Sequence, residues 1–296
     1  MNYFLIKGTA QKYYMKPGIL KKETKPSAAA LRVFRKKLYT FFTGHCRDLP
    51  WRKTEDPYCI LVSEIMLQQT QVDRVKTKYE EFIAAFPNFK SLKRASLTQV
   101  YAVWQGLGYN RRALALKRIA DEVLSRHTGK LPAVKEELMA LPGIGKATAA
   151  SILAFGFNKP EVFIETNVRS VFIHFFFSNR TDVDDTEIAA LVERAIDTKN
   201  PRKWYSALMD YGTMLKKQHP NPSRKSAHYV AQSPFKGSRR QQRGAILKIL
   251  LKNPNLTDTD IAVKLTRGTP ATAREILSEM IRDGLIINKN GVFSIA

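Results

Sequence analysis

Leu141-Pro142-Gly143-Ile144-Gly145-Lys146-Ala147-Thr148 is the stretch on which the fold turns. It lies between two segments, 134–140 and 146–156, whose apolar residues recur at helical spacing. Gly143 and Gly145 open backbone angles closed to other residues, so the chain can turn tightly. They also leave no β-carbon between a ligand and the N–H groups that begin the next helix. A helix N-terminus with exposed N–H groups favours an anion such as a phosphate. Lys146 adds a positive charge beside it.

Outward from this hairpin the helical periodicity continues. Helices are expected over 28–43, from the Asp56-Pro57-Tyr58 turn through Leu67, and over 71–85, 97–105, 110–127, 166–178, 185–198 and 201–216. Breaks fall at Pro87, Gly106/Gly108, Gly129/Pro132, Pro160 and Pro201. No segment before about 220 alternates with period two, so the body is expected to be all-α. After 240 the pattern changes. A helix is expected from Arg240 to Asn253, a second from the Thr257 cap to about Leu265, and a third from the Thr269 cap and Pro270 to Gly284. Leu285-Ile286-Ile287 and Val292-Phe293-Ser294-Ile295 then flank Asn290-Gly291, a strong hairpin signal. Three helices and a hairpin make a small winged helix-turn-helix domain, which reads a DNA groove or docks a protein.

The expected organisation is a mobile basic extension at 1–27, a two-lobed core at 28–220, a basic linker at 221–239 and the winged helix at 240–296. Within the core a barrel-like lobe is expected at about 58–160, and a second lobe from 28–57 together with 161–220.

The 296 residues carry 49 Lys+Arg against 26 Asp+Glu, a formal net charge of +23, so the natural partner is a polyanion. The excess concentrates at 1–54 and at 221–243, where Arg224, Lys225, Lys236, Arg239, Arg240 and Arg243 stand without an acid. Interleaved with His228, Tyr229 and Phe235, they suit either a segment lying along phosphates or a linker kept in solution by charge. No apolar run approaches the roughly 20 residues that span a bilayer, which excludes a membrane protein. Cys46 and Cys59 cannot make a disulfide scaffold or a four-thiolate metal site. The first residues lack the pattern of a secretion signal, so a cytoplasmic location is expected, on the nucleoid if the source is bacterial.

Leu141 to Thr148 resembles the helix-hairpin-helix of the endonuclease III superfamily of DNA glycosylases. Leu49-Pro50-Trp51-Arg52, Asp56-Pro57-Tyr58 and Ser63-Glu64-Ile65-Met66-Leu67-Gln68-Gln69-Thr70-Gln71-Val72 are similar to its MutY-type adenine DNA glycosylase branch, as is Gly106-Leu107-Gly108-Tyr109. The likeness covers about 30–220.

It implies a base-excision enzyme. Breaking a base–sugar bond needs an acid to protonate the leaving base and an anion to stabilise an oxocarbenium-like sugar, roles that two carboxyl groups can share. Glu64, in an apolar helical stretch whose partial desolvation would favour the protonated form, matches the glutamate of that branch that protonates adenine. Glu165, in Val162-Phe163-Ile164-Glu165-Thr166-Asn167, falls where the superfamily has its catalytic Asp, with Asn167 at the supporting Asn. Glu is one methylene longer, and a misplacement of this order can cost roughly 100-fold in rate. Gln69 and Tyr109 match residues that wedge into the base stack, and Gly143, Gly145 and Lys146 match the phosphate-binding hairpin. Lyase members use a Lys two residues past the second hairpin glycine. Here that place is Ala147, and Lys146 would point about 100° around the helix, so base removal without β-elimination is expected.

Two departures stand out. Most of the superfamily carries a 4Fe-4S cluster after this domain; counted from Gly212-Thr213-Met214, its cysteine places fall on Lys216, Ser223, Ser226 and Gln232, which supply no thiolate. No cofactor is expected, although superfamily hairpins often hold a monovalent cation by backbone carbonyls and the resemblance leaves room for one here. Residues 240–296 are too short for the Nudix-like domain with which MutY-type proteins recognise 8-oxoguanine, so the opposite base stays open. The expected partner is double-stranded DNA with a mispaired or damaged base, bound by a monomer. The expected activity is removal of adenine opposite guanine or 8-oxoguanine. The alternatives are a thymine/uracil mismatch glycosylase and a catalytically impaired DNA-binding or regulatory protein.

Overall fold

The computed structural model describes residues 26–265 and 270–296; residues 1–25 and the expected Thr269 cap lie outside the described residues. The chain divides into two compact units, one running to Asp48 and resuming over Leu153–Val230, the other formed by Leu49–Ile152 and Ala231–Ala296.

The first unit is built from α1 (Ala28–His45), α9 (Thr166–Phe176), α10 (Asp185–Ala195) and α11 (Pro201–Gln218). Phe34 of α1 is fully buried and meets Phe172, Phe175 and Phe176 of α9 edge-on at 5.0–5.4 Å. Such pairs add roughly 0.5–1.5 kcal/mol each beyond the apolar area they remove from water. Arg35, on the next position of α1, donates to the carbonyls of Ala195 and Ile196 and so satisfies the C-terminal end of α10.

Two boundaries differ from expectation here. Ser27 caps α1, its hydroxyl accepting from the Ala30 N–H, and the Pro26 carbonyl accepts from Arg194, so 26 and 27 belong to the folded body. The basic linker expected at 221–239 is in its first part also packed. Asn221 Oδ1 accepts from the Ser223 N–H, the Ser223 hydroxyl and the Ser170 hydroxyl of α9, and Val183 exchanges backbone hydrogen bonds with Lys225 and Ala227.

The second unit contains α2 (Pro57–Leu67), α3 (Val72–Ala85), α4 (Phe89–Arg94), α5 (Leu97–Trp104), α6 (Arg111–Arg126), α7 (Lys135–Ala140) and the start of α8 (Lys146–Phe157). Asp56 caps α2 with Pro57 at its first position, and Asn88 closes a capping box on α4, a short helix absent from the periodicity reading. Leu49–Asp56 belongs to this unit rather than to the other, because Trp51 packs edge-on against Tyr79 of α3 at 5.6 Å.

The C-terminal residues form α12 (Arg239–Lys252), β1 (Leu256–Thr257), α13 (Asp258–Lys264), α14 (Pro270–Arg282), β2 (Ile286–Lys289) and β3 (Val292–Ile295). The strands make an antiparallel sheet in the order β1-β3-β2, with Ile286 opposite Ile295 and Leu256 opposite Phe293. Asn290 and Gly291 turn the hairpin with φ of 53° and 83°. These residues cluster with 49–152 instead of standing apart. Gly284 lies against Arg118 and Leu114 of α6, Arg111 is 3.7 Å from Asp283, and α12 packs on α5. Among the described residues no helix is long and apolar enough to cross a membrane.

Candidate active site

Glu64 sits in the last turns of α2, on a helix otherwise buried at Leu61, Val62, Ser63, Ile65 and Met66. Its side chain is half-buried, and Oε2 accepts a 2.6 Å hydrogen bond from the Ser151 hydroxyl of α8, which fixes the direction of the carboxyl. The same α8 opens at the glycine hairpin. Gln68, at the end of α2, donates to the Gly143 carbonyl at 3.4 Å and to the Thr148 hydroxyl at 3.2 Å. The acid and the hairpin are therefore tied together by Gln68 and Ser151. Gly143 has φ of +75° and is exposed, as are Gly145 and Lys146. Gly145 does not take a left-handed conformation, so only one of the two glycines is required by backbone angle.

Gln69 and Tyr109 both have positive φ, 53° and 48°, although neither is glycine. Arg112 of α6 holds this pair of turns in place. Its guanidinium is buried and donates to the carbonyls of Ile65, Met66, Gln68, Leu107, Gly108 and Tyr109 and to the Thr70 hydroxyl. Burial pulls its pKa down to about 10, and the group stays charged at neutral pH. It also lies 5.2 Å from the centroid of the Tyr109 ring. On the other side Arg240 of α12 lies 5.1 Å from the same ring and donates to its hydroxyl, as does Gln232 at 2.5 Å. Gln69, Tyr109, Arg111, Arg112, Arg240 and Arg243 line part of a cavity of about 580 Å³. The expected wedge tyrosine is thus clasped by the C-terminal residues rather than standing bare.

The second carboxylate belongs to the other unit. Glu165 is the N-cap of α9, where Oε1 accepts from the Asn167 and Val168 N–H groups at 2.7 and 3.1 Å and Oε2 from Asn167 Nδ2 at 3.3 Å. Part of the side chain reaches solvent, but protein surrounds the carboxyl. Burial pushes its pKa up, against the positive charge of Lys216 and the three donated hydrogen bonds. Asn167 is seated by Gly212 of α11, where a β-carbon would lie 2.6 Å from Asn167 Cβ. Of the sequence-selected residues, Glu64, Gln69, Tyr109, Gly143, Gly145 and Lys146 share one unit, and Glu165 and Asn167 share the other.

The residues present do not fit an iron–sulfur cluster. Ser223 and Ser226 are buried and engaged in backbone turns, Lys216 is a cation, and two cysteines, Cys46 and Cys59, cannot supply four thiolates. Among the described residues no three His, Cys, Asp or Glu side chains gather to hold a metal ion.

In the sequence Arg112 and Ser151 carry no role, and Gly212 and Lys216 are marked only in placing the absent cluster cysteines. Gly212 carried a signal, since a glycine inside a helix costs up to about 1 kcal/mol and asks for a packing reason. Arg112 carried none, because an arginine next to Arg111 on an amphipathic helix reads as a solvated face.

In one unit a glycine hairpin that opens a helix is tied to a half-buried acid, and in the other an acid caps a helix. A model of the HhH-GPD superfamily of base excision DNA repair proteins matches residues 62–196. The chain is 36% identical over 173 residues to an adenine DNA glycosylase of Buchnera aphidicola subsp. Baizongia pistaciae, covering 57% of this chain and 48% of that protein. It is 28% identical over 187 residues to the thymine/uracil-DNA glycosylase of Methanothermobacter thermautotrophicus, covering 62% of this chain and 85% of that one. The chain spans about half the length of the Buchnera adenine DNA glycosylases it matches. Among solved structures it is similar to a thermostable thymine-DNA glycosylase, with a TM-score of 0.56 and 28% identity over 62% of this chain and 86% of that one. An endonuclease III trapped on DNA aligns with a TM-score of 0.54 at 18% identity, over 71% of this chain and 92% of the other, a likeness of fold.

Proposed function

We propose that this protein is a monofunctional DNA N-glycosylase that removes a mispaired adenine, opposite guanine or 8-oxoguanine, from double-stranded DNA. The observation that carries the reading is the Glu64–Ser151 hydrogen bond beside the Gly143 hairpin, which joins an oriented acid to a phosphate-binding turn. Glu64 gives its proton to a ring nitrogen of the base as the bond to C1′ breaks. Glu165 stabilises the positive sugar, water adds at C1′, and the proton it loses restores the acid. The exposed N–H groups at the hairpin and Lys146 hold the backbone phosphate, and Gln69 and Tyr109 fill space left by the everted nucleotide. No cofactor takes part. The C-terminal residues act as a winged helix that adds positive charge to the DNA-facing surface.

A second reading, excision of thymine or uracil from mismatches with guanine, is supported by the relative matched over 85% of its length. Single-turnover assays on A:8-oxoG, A:G, T:G and U:G duplexes separate the two. Wild type is expected to release adenine, Glu64→Gln to lose release by at least about 1,000-fold while binding DNA, and Glu165→Asp to change the rate. If neither wild type nor Glu165→Asp frees a base from any duplex, the protein is a DNA-binding protein without this chemistry and the enzyme reading fails.

A further inference from the structure

Lys216 stands on α11 one helical turn beyond Gly212, on the same face, because residues four apart lie one above the other. That face is in contact with α9 at Asn167, where Gly212 leaves no room for a β-carbon. Glu165 stands two residues before Asn167 and Lys216 one helical turn after Gly212, so both lie close along the chain to this contact. Lys216 is half-buried and makes no ion pair among the described residues, yet it lies within electrostatic reach of the Glu165 carboxyl.

The other charges around this carboxyl are already matched. Arg169 on α9 is paired with Asp185 of α10 at 2.6 Å, and Arg47, which follows α1, is paired with Asp210 of α11 at 2.5 Å. Glu165 itself accepts two backbone N–H groups and the Asn167 amide. These donors orient the carboxyl; among the described residues Arg169 also lies within electrostatic reach of it but is held by Asp185, whereas Lys216 has no carboxylate paired to it. A carboxyl surrounded by protein loses its proton reluctantly, and a protonated Glu165 cannot stabilise an oxocarbenium-like sugar.

We propose that Lys216 is a positioning residue for Glu165, whose ammonium, presented by the turn of α11 that follows the Gly212–Asn167 contact, holds this carboxyl in its ionised form. The proposal rests on the glycosylase reading for its consequence in rate, while the Lys216–Glu165 coupling stands apart from it. It gives the place matched to a superfamily cluster cysteine a different task, performed by charge.

Two measurements on the full chain test it. In single-turnover base release across pH, Lys216→Gln and Lys216→Met are expected to run roughly tenfold slower than wild type near pH 6 and within about twofold near pH 9, since removing a nearby opposite charge favours the protonated carboxyl. Lys216→Arg is expected to restore the wild-type profile. A loss of equal size at every pH, or no rescue by arginine, would overturn the proposal, because a packing role lowers rate without moving the profile. The second measurement needs no activity: ¹³C NMR of the side-chain carboxyls, with Glu165 assigned by Glu165→Gln, should show the Glu165 titration moving to higher pH in Lys216→Gln. Should the lysine variants not fold, coupling is read in reverse, since interaction between two sites is reciprocal. The Lys216 amine should then titrate at lower pH in Glu165→Gln than in wild type. Unmoved titrations in folded protein sink the coupling. Moved titrations in a protein that releases no base leave the coupling standing and remove the glycosylase reading.

Discussion

Gly212 of α11 and Asn167 of α9 meet so closely that a β-carbon on the glycine would lie 2.6 Å from Asn167 Cβ and 2.8 Å from its carbonyl oxygen. The carbonyl oxygen is backbone and the Cβ is fixed by the backbone, so a rotamer change relieves neither contact. Gly212→Ala is expected to destabilise the protein by about 1–3 kcal/mol, read by urea denaturation. Because Asn167 holds Glu165, base release in the remaining folded fraction should fall by at least about tenfold. Unchanged stability together with unchanged rate would show that the two helices separate freely.

Arg112 is the second sensitive point. Replacing it with Met leaves six backbone carbonyls to find other donors, and removing a hydrogen-bonded buried charge costs roughly 3–5 kcal/mol. Arg112→Lys should recover little of this, since a single ammonium cannot reach both the end of α2 and the Leu107–Tyr109 turn. Thermal melting of the two variants checks both statements.

Tyr109 is expected to matter more on duplex than on single-stranded substrate, where no stack has to be opened. Tyr109→Ala should slow base release from a mismatch by roughly tenfold or more and from single strands by less. Arg240→Ala, which removes one side of the clasp on the ring, should weaken duplex binding and reduce its salt dependence. Equal effects of Tyr109→Ala on both substrates would remove it from the wedge role.

Ala147, the place that the resemblance matches to a lyase lysine, is exposed at the start of α8 beside Lys146. Borohydride reduction during turnover should therefore trap no covalent protein–DNA complex, and the product strand should break only after alkali. A trapped adduct would mean that another amine reaches C1′.

Stability should depend on acid through His174. Burial and the nearby charges of His219, Lys37 and Lys225 pull its pKa from 6.5 to about 4. The unfolded chain then takes up a proton first as pH falls, so stability drops between about 6.5 and 4 and levels below that. The side chain keeps some solvent contact, which reduces the expected loss to about 1–2 kcal/mol. His174→Gln should remove that share of the slope in denaturation curves measured across this range.

Helix after helix was legible because Leu31, Phe34, Leu38 and Phe41 repeat at one helical face, and the same holds from α1 through α11 with the exception of α4. That six-residue helix is too short to show a period and rests on its capping box. Glu64 and the hairpin were legible because the residues that carry them are contiguous. The clasp on Tyr109 was not, because Arg240 is 131 positions away and an arginine at the start of a basic helix advertises no destination. The union of 231–296 with 49–152 was hidden for the same reason: Arg111–Asp283 and the contact of Gly284 with Arg118 are made by residues that read as surface.

Each compact unit is assembled from two stretches of chain, and the stretches alternate along the sequence. A single protease cut near Val230, which is 86% exposed, would accordingly sever the backbone without freeing either body, since the tail is held by its own packing on α5 and α6. The nicked protein should elute whole and come apart only in denaturant. During synthesis the second body cannot close until the ribosome has delivered the last helices, so its completion is a late event however early its first segment emerges.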